Sequence, residues 1–560
     1  MMPSMSMQRL FLSLLAAPLV LAAQKIEIQV DAAQRLGPLT PIWRYYGYDE
    51  PNYTYMKDGQ KLLTELAAMH SGPVYVRMHN LLTTGDGTPA LKWGSTNAYT
   101  EDAQGNPRYD WTIIDRIFDT LIQRKMKPLV EIGFMPKALS TKPEPYQHKW
   151  AANQPYSKIE AGWAYPPRDY AKWAELVRQW VLHSVERYGR KEVETWLWEV
   201  WNEPNIMYWQ GTPEEYQKLY DYSVDAVKRA LPTAKVGGPH STGPGSAKSE
   251  EYLHMFLTHV VEGTNYATGK KGSPIDFLAF HAKGRPRFIE GRVQMGSEYQ
   301  LRDLDHGFAT VAAFPTLKHL PVIIGESDPE GCAACSASSY PQNAYRNGTV
   351  YSSYTAATFA RKFDLAARNG VNLRGAVTWA FEFENQPYFD GFRDLATNGV
   401  DKPVLNIFRM FGRMGGDRVA ARSSGAMDLD SMVDNGVKGA ADIAALASRQ
   451  ARRASVMVWN YHDDDLPAAA ANVALTVRGL PAGVVRLRHF RVDAAHSNSY
   501  EVWKKMGSPQ QPSPAQYAEL VRSGQLQELA PVETIKTSLG AASVRFDLPR
   551  QGVSLLEFEW

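Results

Sequence analysis

Short, almost continuously apolar runs alternate with longer amphipathic stretches through most of this chain. Runs that are apolar at successive positions predict strands buried on both faces, and apolar residues three and four apart predict helices. The pairs are Ile42–Tyr48 with a helix near Gly59–His70, Val74–His79 with Trp111–Lys125, and Pro128–Phe134 with Pro167–Tyr188. They continue as Thr195–Trp201 with Thr212–Leu231, Lys235–Gly238 with Glu250–Glu262, and Asp276–His281 with a helix inside Glu298–His319. Val322–Gly325 with Ser352–Arg368 and Gly375–Phe383 with Val404–Met414 complete the series. Thr212-Pro213-Glu214-Glu215 has the make-up of a helix start, with a capping hydroxyl, a proline at the first position and a glutamate at the third. Parallel strand–helix units in this number close into a (β/α)8 TIM barrel, here placed over residues 39–416.

After Gly416 the pattern becomes period two. Ser455–Tyr461, Asn472–Val477, Val485–Val492, Ser543–Leu548 and Val553–Trp560 alternate apolar and polar positions. That predicts an accessory antiparallel β-sandwich over residues 417–560. Lys25–Val30 alternates in the same way, so residues 24–38 are assigned to that sandwich. Ala440–Ala447 reads as a loop or short helix. At the start, Arg9 followed by the apolar run Leu10–Ala23 reads as a signal peptide over residues 1–23, cut after Ala22 or Ala23. A secreted or periplasmic protein is expected, with no membrane attachment once that segment is removed.

Composition adds bounds. A length of 560 residues suits a large catalytic domain with a smaller companion. A net charge of +2 gives no electrostatic footprint for a nucleic-acid partner. The 15 Trp and 28 Tyr serve sugar platforms and large cores equally well. Cys332 and Cys335 stand alone in Cys-Ala-Ala-Cys; export favours a short-loop disulfide, and a pair offers too few ligands for zinc. No metal and no cofactor are expected.

Barrel chemistry sits at the C-terminal ends of the strands. There the sequence places Arg77 and His79 after strand two, Asn202 and Glu203 after strand four, His281 after strand six, Glu326 after strand seven, and Trp379, Glu382 and Glu384 at strand eight. Glu203 closes the run Trp196-Leu-Trp-Glu-Val-Trp-Asn-Glu203. Its tryptophan neighbours are expected to desolvate it and raise its pKa, as a general acid requires. Glu326 faces it across the mouth. Paired carboxylates are the apparatus of glycoside hydrolysis, with a separation of about 5–5.5 Å for retention and about 6.5–9.5 Å for inversion. Each glutamate taken alone equally fits a barrel-mouth ion pair.

Trp201-Asn-Glu-Pro204, Tyr208-Trp209 and Glu214-Glu-Tyr216 resemble the acid/base region of clan A glycoside hydrolases, and most of all family 39, which holds β-xylosidases and α-L-iduronidase. Arg77-Met-His79, Asp276-Phe-Leu-Ala-Phe-His281 and Trp379-Ala-Phe381 resemble that family's motifs at strands two, six and eight. The resemblance implies a retaining double displacement with Glu203 as acid/base and Glu326 as nucleophile; the charges of Arg77 and His281, both also substrate-binding candidates, are expected to keep Glu326 ionised. It implies Asn202 on the sugar 2-hydroxyl, and His79 and Trp379 around the terminal sugar; Glu384 is a further sugar-binding candidate. The expected activity is removal of terminal β-xylose from xylo-oligosaccharides, in xylan degradation. Iduronidase-like activity, in which Lys283 and Arg285 meet a carboxylate, arabinose release, and a non-catalytic sugar-binding barrel are the alternatives. The chain departs from the family at Ser327-Asp328-Pro-Glu330-Gly-Cys332, which makes Glu330 a rival nucleophile, and at Lys283, where the family often has an aromatic. His240 is expected to be structural, while Trp163 and Trp209 suit sugar stacking or packing alike.

Overall fold

The computed structural model describes residues 25–153, 161–379 and 381–560; the signal-peptide reading falls outside them. The apolar runs form the parallel strands Tyr45–Tyr48, Tyr75–Met78, Lys127–Ile132, Leu197–Val200, Lys235–Ser241, Phe277–Phe280 and Pro321–Ile324, followed by Asn372–Ala376 and Thr378–Trp379. The last two are one strand interrupted at Val377. Its first half pairs with Pro321–Ile324 and its second with Tyr45–Tyr48, so the interruption closes the ring. The result is a nearly closed, TIM-like parallel barrel. Gly47 sits at the closure, where a Cβ would run into the Trp379 ring.

The helices Lys57–Ala68, Thr112–Ile122, Tyr170–Tyr188, Pro213–Ala230, Ala247–Glu262, Ser297–Ala312, Thr349–Asn369 and Pro403–Arg413 follow the strands in turn. The start at Thr212 is a full capping box: the Thr212 hydroxyl accepts from the Glu215 N–H, and the Glu215 carboxylate accepts from the Thr212 N–H at 2.7 Å. Strand Leu197–Val200 shows how the barrel is filled. Trp198 points outward against Trp180 of helix Tyr170–Tyr188, ring to ring at 5.6 Å, while Glu199 points to the axis and meets Arg77 at 2.6 Å. The upper interior of this barrel is therefore ionic rather than apolar, and the cavity lies above it.

The accessory domain is a single ten-stranded sheet, antiparallel except where Lys25–Pro38 runs parallel to Ala471–Arg478. Lys25–Pro38 also pairs antiparallel with Asp417–Ser423. Val485 and Leu487 near one end of the sheet share a buried cluster with Ala542 and Leu548 at the other, so the sheet curls over its own core. The alanine-rich stretch expected as loop or short helix is strand Asp442–Gln450, paired along its length with Arg453–Tyr461. Its small residues pack on both faces: Ile443 and Ala447 into the sheet core, Ala444 and Leu446 into the barrel core. Tertiary packing there overrides the helix preference of alanine. Helices Ser499–Lys505 and Pro514–Ser523, inserted between sheet strands, pack Trp503 and Leu520 on Phe389 and Val400 of the segment after the eighth barrel strand. Among the described residues no helix is long and apolar enough to cross a membrane.

Candidate active site

Asn202 and Glu203 follow the fourth strand directly. Glu203 adopts φ +43 and Trp201 φ +69, conformations that L-residues hold only against strain on the order of 1 kcal/mol each. The strain turns the Glu203 carboxylate into a cavity of about 430 Å³ at the barrel mouth. Glu326 enters the same cavity from the seventh strand. Gly325 before it has no room for a side chain, because a Cβ would collide with the His240 ring. A carboxylate oxygen of Glu203, one of Glu326 and a His281 ring nitrogen lie within 4.8 Å of one another.

Arg77 organises the floor. Its guanidinium donates to Glu199 at 2.6 Å, Glu131 at 3.0 Å, Asn202 Oδ1 at 3.0 Å and Glu326 Oε1 at 3.1 Å, and its plane lies 4.9 Å from the Trp379 ring centre. His79 Nε2 stands 3.5 Å from Glu326 Oε1, and its Nδ1 2.9 Å from Asp49. Burial disfavours the imidazolium, but Glu131, Asp49 and Glu326 around it lift His79 to about 9. His281 Nδ1 is 2.9 Å from Glu203 and 3.8 Å from Glu326. Lys283, the residue that departs from the family pattern, pairs with Glu326 Oε2 and lies 3.7 Å from Glu203 Oε1. Its ammonium thus lies beside both carboxylates.

These charges set the two acids. Burial penalises the Glu326 carboxylate, yet Lys283, His281, His79 and Arg77 together hold it well below the usual range. Glu203 differs from the sequence expectation: its pKa is lowered, not raised. Burial pushes it up as the tryptophans suggested, but Lys283 and the hydrogen bond from His281 outweigh that, while the Glu326 charge opposes them. The deciding influence is Lys283, a cation eighty residues downstream.

Glu384 is not brought to the cavity. Its carboxylate accepts from the Asp58 N–H at 2.9 Å, at the start of helix Lys57–Ala68, beside a separate surface depression. Glu382 is buried and accepts from the Gly399 N–H. Glu330 lines the cavity rim, but Arg346 and Arg393 hold one oxygen and the Cys332 N–H, at 2.6 Å, the other. Cys332 and Cys335 are joined in a disulfide, with Cys332 on the same rim. His240 is fully buried against Glu199, below the cavity. Trp163 packs on Phe134 at 4.5 Å and Trp209 edge-on to Trp201 at 5.1 Å, so both are packing residues, whereas Tyr208 lines the cavity. Arg285 stacks over Tyr299, 5.4 Å from its ring centre. Sequence reasoning missed Asp49, Lys92, Glu131 and Glu199. Lone charges within otherwise apolar strands were the available signal for the two glutamates; nothing local marked Lys92, which arrives from a long loop.

The model of the family described as "Glycosyl hydrolases family 39" matches residues 26–537. A β-xylosidase of Geobacillus stearothermophilus is 27% identical over 497 residues, covering 87% of this chain and 86% of its own. An α-L-iduronidase of Mus musculus is also 27% identical, over 548 residues, covering 91% and 77%. The crystal structure of a monomeric β-xylosidase from Caulobacter crescentus CB15 superposes with a TM-score of 0.73 at 22% identity, covering 95% of this chain and 99% of that one, and so shares the fold. With the family model spanning barrel and sheet alike, and with two glutamates facing each other on strands four and seven, this chain belongs to glycosyl hydrolase family 39.

Proposed function

We propose that this glycosidase is a retaining exo-enzyme with Glu203 as acid/base and Glu326 as nucleophile. The observation that carries the proposal is the approach of the two carboxylates to within 4.8 Å, close to the separation of about 5–5.5 Å used for double displacement and too short to seat an attacking water. Glu326, held ionised, attacks the anomeric carbon as the glycosidic bond breaks, and Glu203 gives its proton to the departing oxygen. Ester formation removes the Glu326 charge, which had been raising the Glu203 pKa, so Glu203, having given up its proton, stays ionised and is free to take one from the water that releases the sugar. Terminal β-xylose remains the first specificity, supported by the Geobacillus relative.

Lys283 favours a second specificity, for a sugar bearing a carboxylate. A half-buried ammonium beside both glutamates works against proton donation to a neutral sugar; a substrate carboxylate would draw that charge away, as the likeness to an α-L-iduronidase also suggests. A panel of aryl xylosides, arabinosides and uronides decides between the two. Xyloside turnover with KM unchanged by Lys283→Met supports the first, and uronide turnover with KM raised by Lys283→Met the second. Turnover of no glycoside would sink the enzymatic proposal. Export through residues 1–23 belongs to the same reading, supported by Arg9 and the apolar run after it, and is tested by cell fractionation.

A further inference from the structure

The cavity has a second charged wall that the double displacement does not use. Asp49 directly follows the first barrel strand, and Lys92 comes from the loop after the second; they form an ion pair, 4% and 7% exposed, and both line the cavity. Asp49 also accepts from Trp379 Nε1 at 3.1 Å and stands 2.9 Å from His79 Nδ1. One carboxylate at the end of strand one thus holds side chains from strand two, its following loop and strand eight. The two oxygens of Glu326 face different ways: Oε2 meets Lys283, while Oε1 meets Arg77 and, across 3.5 Å, His79. A single imidazole separates Glu326 Oε1 from the Asp49–Lys92 pair.

We propose that Asp49 and Lys92 read two neighbouring ring hydroxyls of the terminal sugar on the side away from the reacting carbon, and so set which epimer the enzyme accepts. This rests on the glycosidase reading above. A vicinal diol matches the pair chemically: one hydroxyl donates to the carboxylate and the next accepts from the ammonium. Because both groups are buried, a sugar lacking either hydroxyl leaves a charged group underpaired, which binding sites punish more than a missing apolar contact.

The test compares the aryl glycoside that the wild type cleaves fastest with its 3-deoxy and 4-deoxy analogues, in wild type, Asp49→Asn, Lys92→Met and Lys92→Arg. Each deletion should cost the wild type about 10- to 100-fold in kcat/KM, as expected of hydrogen bonds to charged groups. Lys92→Met should reduce one of those penalties to about threefold or less, leave the other, and be restored by Lys92→Arg. Asp49→Asn should reduce the second penalty, and provides the reading if Lys92→Met does not fold. Penalties unchanged in the variants, or absent in the wild type, would overturn the inference while leaving the glycosidase intact. A wild type that cleaves no glycoside would overturn both.

Discussion

Removing the Lys283 charge should move the alkaline limb of the pH–rate profile upward. Lys283 is the main attractive charge on Glu203, with Nζ 3.7 Å from Oε1. At that distance, and an effective dielectric near 20, the attraction is worth about 4 kcal/mol as a ceiling. The lysine side chain is 18% exposed, so screening and relaxation leave only part of it. Glu203 must be protonated to act as the acid, so kcat/KM falls as pH rises through its pKa. A depressed Glu203 therefore predicts an acidic optimum for neutral substrates. Lys283→Met should shift the alkaline limb upward by about one pH unit or more, at 1.36 kcal/mol per unit. The assay is kcat/KM against pH with an aryl glycoside whose poor leaving group needs protonation. A limb that stays in place, or moves down, would refute the assignment of Glu203 as an acid governed by Lys283.

The remaining expectations concern the two carboxylates, their rival and Asp303, an aspartate on helix Ser297–Ala312 whose carboxylate accepts from the Gly245 and Lys283 N–H groups. Glu326→Ala should lose on the order of 10³-fold or more in kcat on every substrate, whereas Glu330→Ala should retain the reaction; stopped-rate assays of the purified variants distinguish them. Glu203→Ala should slow turnover mainly at deglycosylation for substrates with good leaving groups, and added azide should restore the rate with release of a glycosyl azide, detected by mass spectrometry. Burial raises Asp303 to about 7, so its protonated form favours the fold. That stability is complete below the ordinary aspartate range and is lost as pH rises through about 7. The melting temperature should accordingly fall between mildly acidic and alkaline pH, and Asp303→Asn should flatten that slope in a thermal scan.

Much of the fold was legible because a parallel barrel buries its strands on both faces and leaves continuous apolar runs. The eight helices lie within a few residues of their expected places. The break at Val377 was not legible, because it follows from ring closure and not from any local residue. Strand Asp442–Gln450 was hidden by alanines whose role appears only when two cores press on its two faces. In the site, Glu203 and Glu326 could be placed from strand ends alone. The protonation of Glu203 could not: tryptophans adjacent in sequence pointed to a raised pKa, while the deciding influences come from Lys283 and His281, in the segment that follows the sixth strand. Glu384 looked like a site residue because it follows the eighth strand, yet the chain turns there and its carboxylate meets the start of a helix instead.

The most direct test of the account is to trap the intermediate. A 2-deoxy-2-fluoro glycoside with a good leaving group slows both steps but forms the ester faster than it is hydrolysed, so the enzyme should gain the mass of one fluorosugar. Peptide mapping should find that mass on Glu326. Label on Glu330, or a product released with inverted configuration by proton NMR, would contradict it.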